Sequence, residues 1–380
     1  MKIIKSICED ITQYLLKVQD FRPGEYYGSF WSEKAYHGPL LDYHAGGSHH
    51  NRGAGSAALG LWLVGKQNND SDLTRRAETA FDWLAARQHR RGGYFEIQNN
   101  EKPSDWEHTG LEELSTIETA FVVHGLGMAL LQGLPPKKNY LDCLKKAGLW
   151  FLSIELPPGS GVFPHHERSP YDTLNATFHS VESLALIYWT LKEIYNNRIG
   201  IFLQGACRGI RHTLPLQWKN GCYPYGAHGD SNIKYEDSTI NYTSLVLWCL
   251  LNTLDVLPAS FRSQIPAWRG FERKIAAGAK KAGSFLCNCV DRNGALLWEK
   301  NETSTAKYNI WTYAITFNVL MRTGGSGNIA TAKRILRFLA NKRTSSGLLP
   351  MRDRGEEITE CAYMQSDILL FFQPFINFNI

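Results

Sequence analysis

Leu73-Thr74-Arg75-Arg76-Ala77-Glu78-Thr79-Ala80-Phe81-Asp82-Trp83-Leu84, followed shortly by Gly92-Gly93-Tyr94-Phe95, is the stretch that decides the fold. Its apolar residues recur at helical spacing, so it predicts an amphipathic helix. The glycine turn ends that helix, because glycine adopts a positive φ at no steric cost. The turn recurs five times: Tyr27-Gly28-Ser29-Phe30, Ser160-Gly161-Val162-Phe163, Asn220-Gly221-Cys222-Tyr223, Asn293-Gly294-Ala295-Leu296 and Ser346-Gly347-Leu348-Leu349. Each reads as glycine, any residue, then an aromatic or leucine able to enter a core; in the quoted stretch the pattern falls on Gly93 and Phe95. The turns stand about 64 residues apart, a period that marks a repeat architecture. Pro164, Pro224 and Pro350 follow three of them and keep the helix from restarting.

Two helices fit between consecutive turns. The one before each turn is amphipathic and is predicted over 4–18, 72–89, 139–153, 200–214, 265–283 and 328–342. The one after it is predicted over 53–65, 113–131, 173–195, 238–254, 304–322 and 359–372. This second set is apolar on every face, as in 244–251, and such helices are buried. The pattern predicts an all-α fold, an (α/α)6 toroid with six inner and six outer helices. No linker composition interrupts it, so residues 1–380 are read as a single domain. A ring of hairpins escapes the usual size limit, since each unit packs mainly on its neighbours.

This arrangement resembles the α/α toroid enzymes. One branch of them is carbohydrate-active: six-hairpin glycosidases, toroid polysaccharide lyases and uronyl epimerases. The segment 66–88 resembles a hairpin of that branch. The other branch holds terpenoid cyclases and protein prenyltransferases. Gln88-x4-Gly93-x-Phe95 and Gln217-x3-Gly221-x-Tyr223 resemble its glutamine–aromatic turns. That branch implies D-x-D-D before an inner helix, and the corresponding place here is Glu113-Leu114-Ser115-Thr116-Ile117-Glu118-Thr119-Ala120. No D-D-x-x-D occurs, and no zinc set of Asp, Cys and His is recognisable. The resemblance therefore implies a carbohydrate-active enzyme. A terpenoid cyclase or prenyltransferase-like enzyme and a non-catalytic binding toroid are the alternatives.

The formal net charge of +5 is spread along the chain, with no basic stripe to engage nucleic acid. It tilts the expected substrate slightly towards acidic, uronate-containing sugars. No apolar run is long enough for a membrane span. The first residues alternate charged and apolar types and do not read as a signal peptide. Eight cysteines, mostly in apolar helical stretches with no C-x-x-C, read as buried thiols. Together these features predict a cytoplasmic protein with no cofactor and no metal. Oligomeric state is left open.

In such a ring the inner helices converge on a central cavity. The loops from each turn to the next inner helix line its mouth, and they are rich in His, Trp and carboxylates. His44, His49, His50, His108, His165, His166 and His228 all fall there. Asn51, Arg52, Asp105, Trp106, His108, His165 and Arg168 are candidate substrate-binding residues, with Tyr308 and Trp311 on the fifth inner helix. Candidate catalytic residues are His179, Glu182, Tyr242, His49 and Glu118. His179 and Glu182 stand three apart and share a helix face. A buried carboxylate beside a histidine is costly without a role or a partner, although a satisfied core histidine is the competing reading.

Three chemistries fit this inventory. A β-eliminating lyase needs a base, an acid and a group that neutralises the uronate carboxyl. His49, His50, Asn51, Arg52, His179 and Tyr242 offer those types. A uronyl C5-epimerase uses a similar set. A hydrolase needs two carboxylates across the scissile bond, from among Asp105, Glu107, Glu118, Glu182 and Asp237. Adjacent histidines such as His49-His50 and His165-His166 are a weak metal signal, because neighbours point apart on most backbones.

Overall fold

The computed structural model describes residues 2–32, 35–37, 42–44, 48–95, 97–98, 113–169, 173–225, 239–297, 309–353 and 361–376. Asp105, Trp106, Glu107, His108, Asp237 and Tyr308 lie outside them.

Helices dominate the described residues. In chain order they are α1 (Lys2–Val18), α2 (Asn51–Asn68), α3 (Ser71–Arg87), α4 (Thr116–Leu131), α5 (Lys138–Ser153), α6 (Leu174–Tyr195), α7 (Gly200–Thr213), α8 (Thr239–Val256), α9 (Ala259–Arg262), α10 (Phe271–Asn288), α11 (Ile310–Thr323), α12 (Ser326–Lys342) and α13 (Ala362–Phe372). Short strands lie in the loops, among them β1 (Trp31–Ser32), which pairs antiparallel with Ser48–His50 just before α2.

Two concentric sets emerge from burial. α4 buries fourteen of its sixteen residues, whereas α3 buries six of seventeen, so the first is inside and the second outside. α2, α4, α6, α8, α11 and α13 pack each on the next, and α13 returns to α2, which closes the inner ring. α1, α3, α5, α7, α10 and α12 form the outer set. The all-α toroid predicted from the repeat is the observed architecture.

An inner helix passes to its outer partner by a tight connection. Between α2 and α3, Asn69 takes the left-handed conformation at φ 54° and Asp70 caps α3. The Asp70 carboxylate accepts from the N–H groups of Asp72 and Leu73. The fifth outer helix departs from the sequence expectation of 265–283. Pro266 sits in a 3-10 turn and Gly270 has a φ of 89°, so regular helix starts at Phe271 and runs to Asn288.

The turn after each outer helix is a fixed joint. Gly28, Gly92, Gly161, Gly221, Gly294 and Gly347 have φ between 81° and 107°. In the second joint the left-handed residue is thus Gly92, not Gly93, and the register moves back by one. The residue two places on is then Tyr94, equivalent to Phe30, Phe163, Tyr223, Leu296 and Leu349, and all six are buried. A Cβ on each glycine would overlap the next outer helix: Thr79, Lys146, Arg208, Lys281 and Arg334 in turn. Gly347 faces Asp10 of α1, which closes the outer set.

The corrected register also explains two glutamines. Gln88 and Gln217 now stand four residues before Gly92 and Gly221. Gln88 Nε2 donates to the carbonyls of Gly92 and Cys143, both at 2.8 Å. Gln217 Nε2 donates to Gly221 and Gly278, also at 2.8 Å. Each ties its turn to the next outer helix. Gln19 does the same between Gly28 and Arg76, and Arg343 between Gly347 and α1. The joints also set the inner helices. The N–H groups of Tyr94, Phe163 and Tyr223 donate to Thr119, Thr177 and Thr243, in the first turns of α4, α6 and α8.

Gly92→Ala is expected to destabilise the fold by about 1–3 kcal/mol from the left-handed backbone alone, with the overlap added. Gly327→Ala, a helical site with nothing within 4 Å, is the control and is expected to be neutral or slightly stabilising. Thermal midpoints of the two variants check this; equal effects would remove the joint from the argument.

Candidate active site

The inner helices are apolar on most faces, so each polar side chain on them needs a partner. Arg52, in the first turn of α2, has several. Its Nη2 lies 2.5 Å from Asp367 Oδ2 on α13, and Ser56 Oγ donates to the other oxygen at 2.7 Å. Its backbone N–H donates to Glu118 Oε2 on α4 at 2.7 Å. Its guanidinium carbon stands 4.0 Å from the Phe121 ring centre, 4.8 Å from Tyr363 and 5.5 Å from Trp311. One cation thus gathers residues from α2, α4, α11 and α13. Burial opposes its charge, but Asp367, Tyr363 and Glu118 hold its pKa above the ordinary arginine range. Burial raises the Asp367 carboxyl, against the pull of Arg52 and Ser56.

A second group packs against the same Phe121 ring. His179 on α6 stands 5.1 Å from Phe121 and 6.1 Å from Trp248, centre to centre. Its Nδ1 is 3.4 Å from Cys249 Sγ on α8. Its Nε2 is buried and has no hydrogen-bond partner. Burial pushes the imidazole well below the usual histidine range, helped by the Arg52 charge, so it is neutral at pH 7.

Glu182, one turn on, meets His124 of α4: Oε1 lies 2.5 Å from His124 Nδ1 and 3.3 Å from Asn252 Nδ2. Asn252 Oδ1 accepts from Arg322 Nη1 at 2.7 Å, and Arg322 pairs with the exposed Asp255. The ligand atoms of His179, Glu182 and Cys249 lie within 4.8 Å of one another, a span in which a metal ion can fit.

A third feature lies at the N-terminal ends of the inner helices. Asn51 Oδ1, Thr173 Oγ1, Asn175 Oδ1 and Asn309 Oδ1 are buried acceptors with no hydrogen-bond partner, and Arg52 Nε is a donor in the same condition. Unmet buried polar atoms are rare in folded proteins. Here they recur at the starts of three inner helices, α2, α6 and α11.

Of the residues named from sequence, Arg52, Glu118 and Trp311 are brought together, and His179 and Glu182 form the neighbouring group. His49 belongs to the first joint. Its Nδ1 is 2.6 Å from Ser29 Oγ, and its ring stacks on Tyr26 at 4.1 Å. Burial lowers its pKa to about 4. Tyr242 packs on Tyr225 at 4.4 Å. His165 packs on His166 at 4.6 Å, and Arg168 is exposed, its N–H on Glu113. Sequence reasoning missed Phe121, His124, Trp248, Cys249 and Asn252. His124 had a signal: a lone histidine in an otherwise apolar inner helix needs a buried partner.

The fold and the converging inner helices define an α/α toroid of six hairpins. In solved structures this chain is similar to a cellobiose 2-epimerase from Bacillus thermoamylovorans, with a TM-score of 0.71 and 12% identity, covering 98% of this chain and 100% of that one. It is also similar to a D-mannose isomerase, with a TM-score of 0.67 and 13% identity, covering 98% and 97%. An unsaturated glucuronyl hydrolase specific for heparin gives 0.67 and 13%, covering 98% and 96%. At these identities the likeness establishes the fold. No protein-family model and no curated protein matches the sequence.

Two stability measurements probe these groups. Asp367→Leu strands a buried cation and is expected to cost about 3–5 kcal/mol, and adding Arg52→Met should recover part of the loss. Urea unfolding of the single and double variants reads this out, and strict additivity would deny the coupling. His49 supplies the second. Its pKa is about 4 folded and near 6.5 unfolded, so the unfolded chain binds more protons between those values. Stability is therefore full above pH 6.5 and falls as pH drops towards 4; the lowered His179 adds in the same direction. Thermal midpoints across that range should show a shallower slope in His49→Gln.

Proposed function

We propose that this protein is a carbohydrate-active enzyme that moves a carbon-bound proton of a sugar, with His179 as the base. The observation that carries this is the unpartnered Nε2 of a buried, neutral imidazole that packs on the same Phe121 ring as the Arg52 guanidinium. A C–H beside a carbonyl or carboxyl gives up its proton when a base takes it and a positive group steadies the oxyanion that forms. His179 Nε2 supplies the first role. Arg52, whose Nε is an unpartnered donor, supplies the second. A proton delivered to the opposite face by an acid on that side, such as a water molecule, inverts the carbon; return to the neighbouring carbon, with a hydroxyl proton passing between the two oxygens, isomerises the sugar. The orphaned amide oxygens of Asn51, Asn175 and Asn309 then accept from sugar hydroxyls, and Trp311 offers a ring face.

One consideration favours proton transfer over hydrolysis. Among the described residues, Glu118, Glu182 and Asp367 are each engaged inside the protein, on Arg52 N–H, on His124 and on Arg52 with Ser56. Glycoside hydrolysis needs a pair of carboxyls free to face the bond. The similar structures divide between enzymes named as sugar epimerases or isomerases and enzymes named as glycoside hydrolases, and so support a sugar substrate without choosing between these reactions.

The test is incubation in deuterated water with neutral aldoses, β-linked disaccharides and uronate oligomers. Carbon-bound deuterium should appear in one class and fall by about 10²–10⁴-fold in His179→Asn, with the thermal midpoint retained. Release of reducing ends without deuterium, or turnover of a polyprenyl diphosphate, would sink this reading.

A further inference from the structure

Arg52 is a cation whose charge is already matched. Its Nη2 lies 2.5 Å from Asp367 Oδ2, and the two side chains are only 8% and 0% exposed. Ser56 donates to the second Asp367 oxygen at 2.7 Å, so both carboxylate oxygens are engaged. Glu118 brings another carboxylate to the Arg52 N–H, also at 2.7 Å. The remaining groups named around the guanidinium are the Phe121, Tyr363 and Trp311 rings, and none of these is a second cation. Towards a ligand that enters beside it, such a pair acts as a dipole rather than as a free positive charge.

What Arg52 and its neighbour in sequence leave over is hydrogen-bonding capacity of both kinds. Asn51 Nδ2 donates to the Phe95 carbonyl at 2.8 Å. A carbonyl only accepts, so the amide is oriented and its other end is the oxygen. That Oδ1 is buried without a hydrogen-bond partner, and it can only accept. Arg52 Nε is buried in the same condition, and it can only donate. Hydroxyl groups can give a hydrogen to the first and accept one from the second. A carboxylate has no hydrogen to give and suits the second alone.

We propose that the Arg52–Asp367 pair selects a neutral reducing sugar and turns away sugar acids, which makes Asp367 a specificity-determining residue. This rests on the reading of the centre as a proton-transfer site. In a reducing sugar opened to its aldehyde or ketone, the C–H bond beside the carbonyl breaks and its hydrogen becomes an N–H on His179. The electron pair of that bond forms a carbon–carbon double bond, and the carbonyl oxygen takes up one negative charge. The Arg52 Nε–H group meets a neutral oxygen on entry and a charged one only as the proton leaves, so its bond strengthens during the reaction. In a uronate, removal of the proton beside the carboxylate leaves two negative charges on one group. A lone arginine would match one of them. Arg52, already matched by Asp367, offers less, and the carboxylate must shed its hydration on entry.

The test gives the full chain each neutral sugar beside its acid: glucose with glucuronate, mannose with mannuronate, and cellobiose with cellobiouronate. Affinity is read by ligand-observed NMR titration, and deuterium uptake from heavy water by mass spectrometry. At least one neutral sugar is expected to bind about tenfold or more tightly than its acid, and to take deuterium at the carbon next to its reducing carbon. Asp367→Asn keeps an oxygen for Arg52 and an amide that can donate to Ser56, so it removes charge with little change of shape. It is expected to move the neutral-to-acid ratio towards the acid by at least about tenfold. Should its thermal midpoint show that this variant is unfolded, the wild-type ratios decide alone. An acid bound as tightly as its neutral partner, no sugar bound at all, or an unchanged ratio in folded Asp367→Asn overturns the proposal. Deuterium at C5 of a uronate overturns it and keeps the proton-transfer reading. A neutral sugar bound selectively with no deuterium uptake upholds the selection and overturns that reading instead.

Discussion

A glycine without a side chain, pressed against the backbone of the next outer helix, is the contact on which this ring depends. Gly92 meets Lys146 and Gly221 meets Lys281 at their carbonyl oxygens, and a β-carbon has no room in either place. That approach fixes the distance between outer helices. It also brings the following aromatic residue inward and delivers its N–H to a threonine on the inner helix. Three levels are set at once: the outer spacing, the buried ring at the joint and the start of the inner helix. The centre of the protein then follows, because its residues sit within the first few turns of helices placed in this way.

That centre is unusual for its depth. Arg52, Asp367, Glu118, His179, Glu182 and His124 are all buried. Buried charge is tolerated when it is paired and its remaining donors and acceptors are used. Asp367 meets this rule fully, with Arg52 on one oxygen and Ser56 on the other. His179 and three asparagines do not. The contrast within one layer of the fold separates the groups that hold the ring from those with unused hydrogen-bonding capacity.

The repeat was legible because its signals are local. Helical periodicity, a glycine and an aromatic all fall within one stretch of chain, and inner and outer helices differ in composition. The register of the second turn was not, since Gly92 and Gly93 are adjacent and only the carbonyl of Lys146 decides between them. Pro266 and Gly270 carried a local warning about the fifth outer helix that apolar periodicity overrode. The site was half legible. Polar residues near the first turns of buried helices pointed to Glu118, His179 and Glu182, and the polar loop before the first inner helix pointed to Arg52. Their partners were hidden, because Arg52 and Asp367 are 315 positions apart and His124 and Glu182 are 58 apart. His49 stands apart for a related reason: the next residue, His50, packs on Tyr363 beside Arg52, but extended backbone turns successive side chains to opposite sides, and His49 faces Ser29 and Tyr26.

Five of the six joints have covalent chain running on through the ring. The sixth, between Gly347 and α1, is a seam. There the glycine faces the Asp10 side chain instead of a backbone carbonyl, and Arg343 grips Asp10 and Ser6 where glutamines serve at three of the other joints. Both charged groups are partly open to water. Dissolved salt weakens such a pair and leaves the glutamine clamps untouched. The circle therefore has a clasp, and ionic strength is the lever that loosens it.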